Sequence, residues 1–175
     1  MATELAYTVF PTAWGAMGAV AYGRELISVV LPHYQPNDLE ALLSFQHAGA
    51  VRNDEAFREF TRRCRAYFNA QVVSFDDIPC RLPAESSFTG KVLRACRAIP
   101  YGLTLSYSSL ARDMHRPEAA RAVAAALGKN PVPLVVPCHR VTYSDGRLGG
   151  FSAAGGVQLK QRMLDMEARA PDGST

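Results

Sequence analysis

The chain is poor in cysteine, with four in 175 residues: Cys64, Cys80, Cys96 and Cys138. They are widely spaced and form no CxxC pair, so they lay out no disulfide framework. Thiols of this kind fit a reducing, cytoplasmic setting. No apolar run approaches bilayer length, and the first residues carry no basic segment leading into an apolar one. Neither a membrane span nor a signal peptide is expected. There is no internal repeat. His33, His47 and His115 have no metal-like partners, and no cysteine precedes Cys64, so neither a metal nor a cofactor is expected. Hydrophobic residues make up 48% of the chain, enough for the core of one ordinary domain or two small ones.

The net charge of +3 is unevenly shared. Residues 1–85 carry seven Lys/Arg against ten Asp/Glu, residues 86–141 eight against two, and residues 142–175 four against four. Positive charge therefore collects around Cys138. A basic block inside a folded domain points to a polyanion such as nucleic acid, although a solvated arginine face would read the same way.

Short apolar or alternating runs at Leu5–Phe10, Gly18–Tyr22 and Leu26–Leu31 predict three strands, separated by Pro11, Gly15 and Gly23-Arg24-Glu25. Asn37–Phe45 and Asn53–Phe68 predict helices. In the second, Phe57, Phe60, Cys64, Tyr67 and Phe68 share an apolar face, which makes Cys64 a core residue. Val72–Ala84 reads as a short strand and linker that closes a first domain, 1–84.

In the second domain, 85–175, Ser86-Ser87 opens a helix with the stripe Phe88, Val92, Leu93, Cys96 and Ile99. Ser106 caps Tyr107–Met114, and Pro117 with Glu118 starts a helix that runs to Leu127 and stops at Gly128. That pair predicts a helix-turn-helix. Its second helix is rich in alanine, with Ala120, Val123 and Leu127 turned inward and Arg121 and Ala125 outward. Pro131–Val136 reads as a buried strand, Ser144-Asp145-Gly146 as a hairpin turn and Val157–Ala168 as the last helix. The tail from Pro171 is expected to fray. The fold class is α+β: a small N-terminal α/β domain with a short antiparallel sheet, then a mainly helical C-terminal domain.

Chemistry enters at Pro137-Cys138-His139-Arg140. A structural cysteine does not need a basic neighbour, but an attacking one does, because the thiolate is the nucleophile.

The ordered set Ile99-Pro100-Tyr101-Gly102, Ser106-Tyr107, Ala120-Arg121-Ala122-Val123, Asn130-Pro131, Pro137-Cys138-His139-Arg140-Val141, Gly149 with Phe151, and Lys160 followed by Glu167 resembles the methylated-DNA–protein-cysteine methyltransferases. The resemblance covers residues 86–167 strongly and 1–85 only in size and pattern. It implies a single-turnover repair protein that flips 6-O-alkylguanine out of double-stranded DNA and keeps the alkyl group on Cys138. Alkylated thymine is a second candidate lesion, and a monomer is expected.

By the same resemblance His139 takes the Cys138 proton through a water, and Glu167 orients His139. Tyr107 assists rotation and protonates the leaving base, while Arg121 fills the vacated space. Thr89, Ser108, Arg116 and Ser144 would meet phosphates. The carbonyls of Cys138 and Val141 and the amide of Ser152 would read the guanine. Leu127 and Phe151 would wall the pocket, and Asn130 would brace the turn before Cys138. The sequence departs from the family at Ala124 (usually glycine), at Leu103 (usually glutamate) and in a longer 149–156 loop with Phe151 for the commoner tyrosine. Two other readings stay open on residues alone. One is a damage-binding module, which would lack the nucleophile that Cys138 supplies. The other is a cysteine hydrolase, which would turn over repeatedly.

Overall fold

The computed structural model describes residues 4–169, and the chain divides between Arg81 and Leu82 into two compact units. The sequence reading put that boundary at 84/85, and the tail from Pro171 lies outside the described residues.

The first unit is a four-stranded sheet in the order β3-β2-β1-β4. β1 (Leu5–Thr12), β2 (Gly15–Tyr22) and β3 (Glu25–Val30) form an antiparallel meander, and β4 (Val51–Arg52) adds in parallel to β1. The expected antiparallel sheet thus gains a parallel fourth strand, too short to show any period in the sequence. Side chains alternate across β1. Tyr7 and Val9 pack with Leu39 and Leu43 of α1 (Pro36–Gln46), whereas Phe10 meets Phe60 of α2 (Arg58–Phe68) edge-on. The expected single helix 53–68 is split, because Asp54–Phe57 is a 3-10 turn capped by Asn53.

Pro11, expected to end β1, lies within it. On the side away from β2, β4 pairs only with Ala6 and Tyr7. Beyond them, Arg52 donates to the Val9 carbonyl and Arg65 to the Pro11 carbonyl, each at 3.2 Å. Pro11 has no N–H to offer, so this edge is blunted against another strand.

The second unit is mainly helical. α3 (Phe88–Arg97), α4 (Tyr107–Asp113) and α5 (Ala120–Leu127) pack together, and α6 (Gly156–Arg169) packs on a 3-10 turn at Cys138–Arg140. Serine caps set two of the starts. Ser87 Oγ accepts from Gly90 N at 3.0 Å and Ser106 Oγ from Ser109 N at 2.9 Å. Pro117 begins a 3-10 turn, Pro117–Ala119, that leads into α5. Val123, Ala126 and Leu127 are the buried residues of α5, while Arg121, Ala122 and Ala125 are exposed and Ala120 is half-buried.

Two expectations are corrected. Pro131–Val136 is a compact turn and not a strand: Val136 N bonds back to Val132 O at 3.0 Å, and Leu134 takes φ of 78°. Prolines at 131 and 133 deny the segment ladder donors. Around Ser144-Asp145-Gly146 the hairpin turn closes, with Gly146 N on Tyr143 O at 3.0 Å and Tyr143 N on Arg147 O at 2.9 Å, but no return strand follows it. Its leading strand, β6 (Val141–Thr142), pairs in parallel with β5 (Leu105–Ser106) instead.

Candidate active site

Cys138 and His139 lie on the 3-10 turn between the Pro131–Val136 segment and β6. Cys138 is 6% exposed, whereas Cys64 and Cys96 are sealed at 0%. Asn130 ties the region together. Its Nδ2 donates to the Val136 carbonyl at 2.8 Å and to Cys138 Sγ at 3.1 Å, and its Oδ1 accepts from Val132 N at 3.1 Å. Burial pushes the Cys138 thiol up, opposed by the Asn130 bond and the nearby Lys160 charge. The thiol is thus held towards its protonated form.

His139 is fully buried and its Nε2 lies 2.7 Å from Glu167 Oε1. Burial holds the imidazole below its ordinary range, with Glu167 acting in the opposite sense. Glu167 is 3% exposed. Burial alone would raise its pKa, but hydrogen bonds and charge from His139 and Arg140 outweigh that and hold it down at about 2. Gly102 N adds a bond to Glu167 Oε2 at 3.1 Å. Cys138, His139, Arg140 and Glu167 are thus all buried, the last three joined by hydrogen bonds.

Tyr107 is 6% exposed at the first position of α4. Its hydroxyl accepts from Lys160 Nζ at 3.3 Å, and the same ammonium donates to the Val141 carbonyl at 2.6 Å. Burial lifts the Tyr107 phenol to about 12, so it stays a proton donor at neutral pH. The ring lies against Gly149, where a Cβ would overlap the Tyr107 hydroxyl, and Tyr143 meets it edge-on at 5.2 Å.

The other expected residues differ in burial. Leu127 and Val141 are buried, and Phe151 is half-buried. Thr89 and Ser108 are half-buried, the latter 3.0 Å from Ser106 Oγ. Arg116, Arg121, Ser144 and Ser152 are exposed, with the Arg116 guanidinium over the Phe88 ring. Among the described residues no three His, Cys, Asp or Glu side chains converge as a metal site. No described helix is long and apolar enough to cross a membrane.

The family profile "6-O-methylguanine DNA methyltransferase, DNA binding domain" matches residues 87–169. The methylated-DNA–protein-cysteine methyltransferase of Methanosarcina acetivorans is 40% identical over 118 residues, covering 67% of this chain and 72% of that one. The methyltransferase of the same name from Haemophilus influenzae is 32% identical over 169 residues, 94% of this chain and 87% of that one. The chain belongs to the methylated-DNA–protein-cysteine methyltransferase family. The crystal structure of Mycobacterium tuberculosis OGT in complex with DNA is similar at a TM-score of 0.78, with 30% identity and 95% of each chain covered.

Two members of the buried group in this methyltransferase-family chain were not assigned roles from the sequence. Arg140 donates to Glu167 through Nε (2.9 Å) and Nη2 (3.1 Å) and to the Ile99 carbonyl through Nη1 (2.7 Å). Lys160 is 0% exposed. A signal for Lys160 was present: it shares the buried face of α6 with Met163 and Glu167, at three- and seven-residue spacing. A lysine on an apolar stripe, followed by a glutamate on the same stripe, marks an internal polar group.

Proposed function

We propose that the chain repairs DNA by taking the alkyl group from the 6-oxygen of guanine onto Cys138 Sγ, once per molecule. The observation that carries this reading is the buried group of Cys138, His139 and Glu167, with His139 held at 2.7 Å by the carboxylate. Sulfur suits a displacement at carbon because its thiolate is a strong nucleophile. His139 takes the thiol proton through a water. Nε2 is engaged with Glu167, so Nδ1 is the acceptor. The carbon–sulfur bond forms as the carbon–oxygen bond breaks, and the guanine leaves with a proton from Tyr107. The product is a thioether, which offers no carbonyl to water and no disulfide to exchange.

The target atom lies inside the duplex, so the nucleotide must leave the stack, at roughly a few kcal/mol. In this reading the exposed Arg121 enters from the small-residue face of α5, and Tyr107 crowds the phosphate. Arg116, Thr89, Ser108 and Ser144 hold the backbone. The Cys138 and Val141 carbonyls and the Ser152 amide read the base between Leu127 and Phe151. The protein acts as a monomer in a reducing, cytoplasmic compartment, on 6-O-alkylguanine first and 4-O-alkylthymine second.

Intact mass after mixing with an oligonucleotide carrying 6-O-methylguanine tests the proposal. The expected result is one added methyl, localised to Cys138 and absent from Cys138→Ala. An unchanged mass with tight DNA binding points to a damage-binding module, and repeated turnover to a hydrolase.

A further inference from the structure

We infer that Arg140 keeps His139 a neutral, Nε2-protonated imidazole, by occupying Glu167 with two guanidinium bonds so that the carboxylate orients the ring without charging it. The inference deepens the proposed alkyl transfer and rests on that reading for its kinetic arm. A bare carboxylate against a buried imidazole favours imidazolium. An imidazolium at rest cannot accept the Cys138 proton, so a site with only Glu167 would hold its base already spent. Here Glu167 is shared. His139 Nε2 faces Oε1 at 2.7 Å, while Arg140 Nη2 lies 3.1 Å from Oε1 and Nε 2.9 Å from Oε2. A full positive charge therefore sits beside the same carboxylate, and His139 faces a pair with no net charge.

The geometry holds the guanidinium to this task. Its remaining arm is fixed on the Ile99 carbonyl at 2.7 Å, and its Cζ lies over the Tyr101 ring, 5.6 Å from the centre. Gly102 N takes the spare capacity of Oε2 at 3.1 Å. The carboxylate is thereby fixed in position as an acceptor, and Nε2 must carry its hydrogen towards it. Glu167 and Lys160 of α6 and Arg140 of its own turn act on His139 directly. Tyr101, just after α3, faces Glu167 and Arg140, and Cys96 of α3 faces Cys138, Arg140 and Lys160. Lys160 also disfavours a second proton on the ring, but it is bonded to Val141 and Tyr107 and does not touch Glu167. Arg140 acts through Glu167 and is a positioning residue.

Two measurements test the inference on the whole protein. The first is nitrogen-15 NMR of the His139 ring in the unmodified protein at pH 7. One protonated nitrogen, Nε2, and one unprotonated, Nδ1, are expected; two protonated nitrogens overturn the inference whatever the protein does to DNA. The second is the pH dependence of single-turnover transfer from free 6-O-methylguanine, read by mass at Cys138. In Arg140→Gln the acid limb is expected to move up by about one to two pH units. Arg140→Lys, which keeps the charge without the fork, should return the limb to its original position at a lower maximum rate. A lower rate with an unmoved acid limb in Arg140→Gln would make Arg140 a packing residue and sink the idea. Failure of any transfer to Cys138 in the unmodified protein would count against the proposed function and leave the ring measurement standing.

Discussion

A side chain's burial decides what its letter means. Cys138 and His139 were legible because a thiol and a base stood side by side. Glu167 was legible only through the family pattern, since it lies 28 positions from its partner. Arg140 adjoins the pair, yet nothing in an arginine's letter says that it is 6% exposed and bound to a carboxylate. Burial of both charges has a consequence for acid stability. Glu167 titrates at about 2 in the folded protein against an ordinary 4.5. Its contribution is thus fully present above the ordinary value and is lost as pH falls towards the folded one. His139, held below its ordinary 6.5 by burial, acts in the same direction, because the unfolded chain takes its proton first as acidity rises. Glu167→Gln removes the carboxylate's part. Urea unfolding at pH 6 and pH 3 is expected to show a smaller acid loss in that variant than in the parent, and equal losses would refute the assignment.

Among the elements, those built on local rules were read well and those built on side-chain bonds were not. The caps at Ser87 and Ser106 and the stripe of α3 follow from spacing. The Pro131–Val136 turn does not: apolar letters between prolines look like a buried strand, and only the three bonds of Asn130 reveal the fold-back. The missed β4 is two residues long, shorter than one alternation. The 149–156 loop touches the chemistry through Gly149, which leaves room for Tyr107. A methyl there would overlap the hydroxyl and the ring, and the phenol would have to move off Lys160. Gly149→Ala is expected to slow transfer by about a hundredfold, the scale of a misplaced catalytic group. Melting should record an over-packing loss of about 1–3 kcal/mol. A variant with parental rate would mean that Tyr107 is not held by that contact.

At the scale of the whole molecule, the two units differ in charge as well as fold. The acidic excess lies in residues 1–85, and the basic block lies in residues 86–141, which contain Cys138 and the exposed α5 face. The split into an N-terminal α/β unit and a helical unit was readable because the stretch with Pro79 and Pro83 separates a strand-then-helix pattern from a run of helical stripes. The unit boundary could not be read to the residue, since Cys80 still bridges to Leu26 and Arg81 N bonds to Leu26 O at 2.8 Å. If Cys138 keeps the alkyl group as proposed, the thiol's setting also bears on what becomes of the protein afterwards. Sγ has Asn130 Nδ2 at 3.1 Å and little open surface. A carbon lodged there must shoulder neighbours aside, the Asn130 amide first, at an over-packing cost. The methylated form should therefore melt several degrees lower than the fresh one, and coincident melting curves would count against this. A spent copy would advertise its history through its own slackness, and a protease that samples loosened chains could clear it without ever recognising the methyl.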